Sequence, residues 1–175
     1  MSERNYWIGV VSKDHVDIGV AGGYTQLNHG KAAPLERMRA GDGFAFYSPR
    51  MSYPDGESLQ AFTAIGRIRN GTMYQAGGDP AGPFRLGVDY FPAQPAPVRP
   101  LIDELTFIRS KTHWGAAFRF GVLRVPEADF ALIARAMGRS FADDFAHFRA
   151  QLPAQSPGQL PAPAAAANQI GRAHV

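Results

Sequence analysis

The sequence contains no cysteine. Disulfide bonds and thiol chemistry are therefore excluded, and the composition suits a reducing cytoplasm. No run of about 18 apolar residues occurs, so no membrane-spanning helix is expected. The first residues, MSERNYWIGVV, lack the pattern of a secretory leader: the apolar run is short and Glu3 interrupts the charged region. A cytoplasmic protein with no membrane partner is the expectation. Lysine is scarce: 18 residues are basic, and all but Lys13, Lys31 and Lys111 are arginine. The guanidinium fork suits phosphates and base edges better than an ammonium does. A GC-rich genome would produce the same bias, and a net charge of +3 does not by itself argue for nucleic-acid binding.

Enzyme signatures are missing too. There is no G-x-S-x-G elbow, P-loop, H-E-x-x-H or dinucleotide G-x-G-x-x-G. Ser12, His15 and Asp17 lie close together, but three residues of one short stretch seldom meet the geometry of a triad. Asp14, His15 and His29 match no zinc spacing. Asp143 and Asp144 are neighbours on a helix and point apart, which rules out a paired acid and base. No catalytic residue, metal site or cofactor is expected.

The chain does have the makings of a core. Its 175 residues suffice for one domain, and 45% hydrophobic against 19% charged content predicts a folded one. Tyr6–Ser12 reads as a first strand, apolar on both faces. Residues 13–23 follow as a loop or short helix, and Gly22-Gly23 permits a change of direction. Pro34 opens a predicted helix, PLERMRA, which Gly41 ends. Asp42–Ser48 is the second strand, with Phe44 and Phe46 on one face and Ala45 and Tyr47 on the other. After a loop at 49–58, Leu59–Arg69 is the third and longest strand. Its alternation places Leu59, Ala61 and Ile65 on one face, Phe62, Ala64 and Ile68 on the other. Phe84–Phe91 is a fourth strand, and Leu101–Leu105 a short helix. Residues 107–117 read as irregular, and Phe118–Val125 as a strand able to close a barrel against the first. Pro126 opens a helix whose Phe130, Ile133 and Met137 share a face. Ser140 caps another, with Asp143 as its capping-box partner and Phe141, Phe145 and Phe148 as the apolar stripe. From Pro153 the chain turns to Pro, Ala and Gln with one charge, Arg172, and a flexible tail is expected at 153–175, helical in part at 162–167.

One stretch stands out. Gly22–Gly43, GGYTQLNHGKAAPLERMRAGDG, brings Tyr24, Gln26, Asn28, His29 and Lys31 together ahead of a basic segment. Amide, imidazole and ammonium groups without a nearby acid suit a polar recognition loop. This stretch, with YWIGVVSKDHV, FYSP, LQAFTAIGRI and THWGAAFRFG, closely resembles the EVE domain family of the PUA-like superfamily, to which YTH and ASCH domains also belong. The resemblance extends from about Tyr6 to Leu152, so an EVE domain at 1–152 is expected, and HGKAAPLxRMxxGD is its most specific part. It implies an α+β fold: a small β-barrel of five or six strands with flanking helices. It also implies a non-catalytic reader of a modified base in DNA or RNA, with a separate effector protein as a partner.

Such a reader needs stacking walls, polar groups for the base edge and cations for the backbone. Trp7, Tyr24, Tyr47, Phe62 and Trp114 are candidate walls. Trp7 and Phe62 would serve equally as core, and Tyr47 as a lid on the barrel. Ser12, Gln26, Asn28, His29 and Ser48 are candidate donors and acceptors. Ser12 would serve equally as a helix cap, Gln26 and Asn28 as braces of the local backbone, and His29 as an anchor for its own loop. Lys31, Arg37, Arg39, Arg67 and Arg69 are candidate phosphate contacts, or ordinary solvated charges. A small-molecule or nucleotide-binding regulatory domain using the same pocket is the alternative, followed by a hydrolase of modified nucleotides.

Overall fold

The computed structural model describes residues 3–145. Its frame is a curled mixed sheet. Eight strands are present among the described residues: β1 (Tyr6–Val10), β2 (Tyr24–Thr25), β3 (Gly43–Arg50), β4 (Ser58–Ile68), β5 (Tyr74–Gln75), β6 (Phe84–Tyr90), β7 (Ala96–Pro97) and β8 (Val122–Val125). Six form a continuous path in the order β2-β6-β4-β3-β1-β8, while β5 pairs with β6 and β7 with β4. Among these eight strands only the β1–β3 pair is parallel, and helix α1 (Lys13–Gly22) lies in the connection between them. The strand expected to close against β1 does pair with it, Tyr6 opposite Val125. The α+β fold built on a curled sheet with flanking helices is thus as expected, with six strands in the continuous path and the sheet curled into a half-barrel.

The sheet is apolar on both faces because each face has its own cover. On one, Ile8, Ala45, Tyr47, Phe62 and Ile65 pack under α2 (Glu127–Ala136), with Phe130, Ile133 and Met137 fully enclosed. On the other, Trp7, Phe44, Phe46, Ala64 and Ile68 pack with Val16 of α1 and with Leu27, Leu35 and Met38 of the long β2–β3 connection. Asp129 of α2 accepts hydrogen bonds from Thr106 Oγ1 (2.8 Å) and the Phe107 amide (2.9 Å), which pins the preceding irregular segment.

Four local departures from the sequence pattern matter for the site. Strand β4 does not keep its alternation: the pairing with β3 slips between Phe46 and Tyr47, so Thr63 is an extra residue. Phe62 therefore joins Ile65 on the α2 face, apart from Ala64 and Ile68. The PLERMRA segment forms only a 3-10 turn at Ala33–Leu35, and Leu35 and Met38 are both buried. The expected helix at 101–105 is likewise a 3-10 turn, Arg99–Leu101. The strand expected from Phe118 starts at Val122, because a 3-10 turn at Trp114–Phe118 runs into Gly121, whose φ is 81°.

Residues 141–145 are helical, and the Asp143 amide donates to Ser140 Oγ at 3.4 Å as a cap requires. The rest of the helix expected there, with Phe148, and the tail expected at 153–175, with the partial helix expected at 162–167, lie outside the described residues. No helix among the described residues is long and apolar enough to cross a membrane.

Candidate functional site

A cleft of about 580 Å³ opens where four stretches distant in sequence meet. The end of β1 and start of α1 bring Val10, Val11, Ser12 and His15. The segment after β2 brings Gln26, Asn28 and His29. The end of β3 and its loop bring Pro49, Arg50 and Tyr53, and the turn before β8 brings Phe118, Arg119, Phe120 and Gly121. Backbone hydrogen bonds join these parts: Val10 N to Gly121 O (2.8 Å), Val11 N to Tyr47 O (3.1 Å) and Asp14 N to Met51 O (3.0 Å).

Each part is held in place by local chemistry. Asn28 and His29 both adopt left-handed backbone, φ 46° and 59°. Asn and His tolerate this region better than most residues, and such conformations gather at ligand clamps. Gly30 follows at φ 82°, and a Cβ there would lie 2.3 Å from that of Pro83. The Asn28 side chain lies against Gly121, where a Cβ would come within 2.2 Å of Asn28 Oδ1. The loop carrying Tyr53 is closed on itself by Met51 N to Glu57 O (2.8 Å), Gly56 N to Ser52 O (2.9 Å) and Arg50 Nη1 to Gly56 O (3.2 Å).

The floor is apolar: Val10, Val11 and Phe118, the last stacked on Tyr47 with ring centroids 3.9 Å apart and planes 14° from parallel. The rim holds two exposed aromatics, Tyr53 at 77% and Phe120 at 78%. Arg50, Arg119, His15 and His29 supply the basic character, and no carboxylate lines the cleft. Ser12 Oγ donates to Asp14 Oδ1 at 2.6 Å, and this bond holds the Asp14 carboxyl below its usual range. The Ser12 hydroxyl is thus committed to a carboxylate and not to either histidine. Among the described residues no group of three His, Cys, Asp or Glu is placed to hold a metal ion.

Of the residues singled out from sequence, Ser12, Gln26, Asn28 and His29 line this cleft. The candidate walls do not. Trp7 is 1% exposed and donates its indole N–H to Asp42 Oδ2 at 2.9 Å, in the core opposite α2. Phe62 is fully buried, and Tyr47 lies behind Phe118. Burial pushes the Tyr47 hydroxyl pKa up to about 12. Tyr24 is buried beneath the Arg85 guanidinium. Trp114 packs at the edge of the α2 core with Arg99 5.3 Å from its ring centre. Ser48 is enclosed and bonded to Thr63, Oγ to Oγ1 at 2.8 Å.

The candidate phosphate contacts lie elsewhere as well. Arg37 covers the Trp7 ring, and the Arg39 amide donates to Asp42 at 3.0 Å. Arg67 donates to the Asp144 carbonyl. Arg69 pairs with Asp89 at 2.8 Å beside a separate depression of about 360 Å³. Lys31 is exposed and does not line the cleft. Sequence reasoning passed over Arg50, Tyr53, Arg119 and Phe120. The loop at 49–58 carried a signal, since an aromatic amid Pro and Gly punctuation has no strand face to bury. Phe120 carried none, because FRFGVLRV alternates as a strand does.

Relatives match about three-quarters of this chain over nearly their whole length. An UPF0310 protein of Mycolicibacterium vanbaalenii is 49% identical over 132 residues, covering 75% of this chain and 91% of the relative. UPF0310 protein YdcG of Bacillus subtilis is 46% identical over 135 residues, covering 77% and 92%. Among solved structures, Rpa0253 of Rhodopseudomonas palustris superposes with a TM-score of 0.51 at 20% identity, over 77% of this chain and 93% of that one. Atu2648 of Agrobacterium tumefaciens does so with a TM-score of 0.51 at 18% identity, over 78% and 94%. These two likenesses concern the fold alone. The EVE domain family model matches residues 5–136, and the chain belongs to that family.

Proposed function

We propose that the cleft receives one base of DNA or RNA, extruded from its stack, and that the protein reads a modification on it without catalysing a reaction. The observation that carries this reading is the lining itself: an apolar floor, amide and imidazole edges, two arginines, two exposed aromatics and no carboxylate. An acidic substrate is attracted and an acidic competitor is not created by the protein. The volume falls within the range of about 300–1,000 Å³ usual for sites of small organic groups.

The energetics are consistent. Extruding a base costs roughly a few kcal/mol. Neighbouring bases that stack on Tyr53 and Phe120 regain about 1–3 kcal/mol each. Polar groups of Gln26, Asn28 and His29 select the base, since an unmatched buried polar group costs about 1–3 kcal/mol. A modification such as a methyl group against Val10, Val11 or Phe118 adds about 0.8 kcal/mol if fully buried. The Asp14 carboxyl that accepts from Ser12 is held below its usual range and is therefore a weak base for that hydroxyl, which supports binding over nucleophilic chemistry. A cytoplasmic reader domain at 1–152, acting with a separate effector protein, completes the proposal.

The test is fluorescence anisotropy of a panel of oligonucleotides, each with a single modified base, at one fixed salt concentration. At least one modified strand should bind about fourfold tighter than its plain counterpart, the ratio equivalent to one buried methyl group. A panel without any preference overturns the proposal. Equal affinity for free nucleotides would favour a small-molecule regulatory domain, and turnover of a modified nucleoside a hydrolase.

A further inference from the structure

Arg85 sits in the buried stretch of β6 and is only 7% exposed. Its guanidinium lies 4.0 Å from the centre of the Tyr24 ring, and Nε donates to Gln26 Oε1 at 3.0 Å. Nη1 is buried without a hydrogen-bond partner, and no carboxylate among the described residues pairs with this arginine. A guanidinium stays charged in any protein, and a buried charge without a counter-ion is costly. Position 26 is where the counter-ion would go. The β2–β6 ladder sets Tyr24 opposite Gly87 and Thr25 opposite Leu86, so its continuation sets 26 opposite 85. A glutamate there would neutralise Arg85 through the exchange of one amide for one carboxylate. The chain has glutamine, which forgoes that ion pair and keeps an amide.

The amide has a fixed orientation. Arginine Nε–H can only donate, so the atom it meets must be the glutamine oxygen. With Oε1 taken, the NH₂ is the end of Gln26 left for a ligand in the cleft that this residue lines. We propose that Arg85 is a positioning residue that sets the site's specificity by locking Gln26 as a hydrogen-bond donor. This inference rests on the reading of the cleft as a base site. The base edge facing Gln26 then carries an acceptor, a carbonyl oxygen or an unprotonated ring nitrogen. A base presenting an amino group or N–H at that edge is rejected, because two donors would be left buried against each other.

The experiment uses the full chain and the best-bound oligonucleotide of the panel, together with analogues of its base that each lack one acceptor (deaza for ring nitrogens, deoxo for carbonyls). For the wild type, one such deletion should weaken binding about tenfold, the value of one good hydrogen bond in a dry site. Gln26→Glu should melt at or above the wild-type temperature, because it pairs with Arg85. It should bind the parent base at least tenfold more weakly and no longer distinguish parent from analogue. Arg85→Met should lose the same discrimination, and Arg85→Lys, which still donates to Oε1, should restore it. Should Arg85→Met fail to fold, Gln26→Glu decides alone. The inference is overturned if Gln26→Glu binds the parent base as well as wild type does. It is equally overturned if every acceptor deletion costs the two proteins the same factor. A wild type that binds a modified strand while Gln26→Glu changes nothing sinks this inference only; a wild type that prefers no modified base sinks both.

Discussion

Truncating Tyr53 and Phe120 separates binding from folding more cleanly than any other change in this site. Both side chains are more than three-quarters exposed, at 77% and 78%, so their removal sacrifices little buried apolar area. Surface truncations of this kind usually stay within about 0.5 kcal/mol of wild-type stability. If each ring stacks on a base flanking the extruded one, each truncation to alanine should cost about 1–3 kcal/mol of binding. That is about a 5- to 150-fold weakening per residue. The two losses should add when each ring meets a different base. The assay is anisotropy with an oligonucleotide and, in parallel, with the free nucleoside of the same modified base. Loss on the oligonucleotide and no loss on the nucleoside is the expected pattern, since a lone base has no neighbours to stack. An affinity within twofold of wild type for Tyr53→Ala/Phe120→Ala would refute the role of the rim, as would a loss that tracks a fall in melting temperature.

Trp7→Phe should lower stability by about 1.5–3 kcal/mol, the value of one buried bond to a charged acceptor, because among the described residues Asp42 keeps only its bonds from Asn5 N and Arg39 N. At this size that is about 3–12 °C in Tm by calorimetry, with affinity per folded molecule unchanged; lost affinity at unchanged Tm would make Trp7 a wall of the site. Arg50→Gln and Arg119→Gln should each reduce the slope of log affinity against log salt by about 0.7–0.9 if each meets a phosphate; unchanged slopes would place the backbone elsewhere. The Tyr6 and Tyr47 hydroxyls are raised from 10.0 to about 12, chiefly by burial, with the hydrogen bond to Glu127 adding at Tyr6. A folded-state value above the unfolded one confers stability that is complete below pH 10 and is lost as pH rises through 12. The loss is about 1.4 kcal/mol per tyrosine at pH 11. Tm measured from pH 9 to pH 12 should fall accordingly, less steeply in Tyr47→Phe, and a flat profile to pH 11.5 would refute the burial argument.

Much of the frame was legible because β-strands announce themselves by alternation and helix α2 by its 3.6-residue period. In two of the places where the reading slipped, a single residue was responsible. The bulge at Thr63 inverts the face of Phe62, and no alternation count can reveal an extra residue that pairs with nothing. Gly121 at positive φ stops the strand expected through FRFG, which turns Phe120 outward. The polar part of the site was easier. Gln26, Asn28 and His29 follow a Gly-Gly turn and have no apolar partners, which marks them as residues of an exposed loop. Aromatics give no such sign, since Trp7 in a core and Phe120 on a rim are equally apolar in sequence. Arg85 was missed for a related reason: in FRLGVDY it reads as an outward-facing charge, and its burial depends on the tertiary placement of Tyr24 and Gln26.

The assembly of the cleft from four stretches spanning Val10 to Gly121 means that no single stretch carries the site, and that global unfolding dissolves it. Binding and folding are therefore thermodynamically linked. A ligand present at 100 times its dissociation constant adds about 2.7 kcal/mol to the folded state. For a domain of this size that is a rise of roughly 5–11 °C in Tm, large enough to see in a thermal-shift plate. The melting temperature itself is thus a detector, and a library of modified nucleotides and short strands can be screened without any label or prior guess at the base.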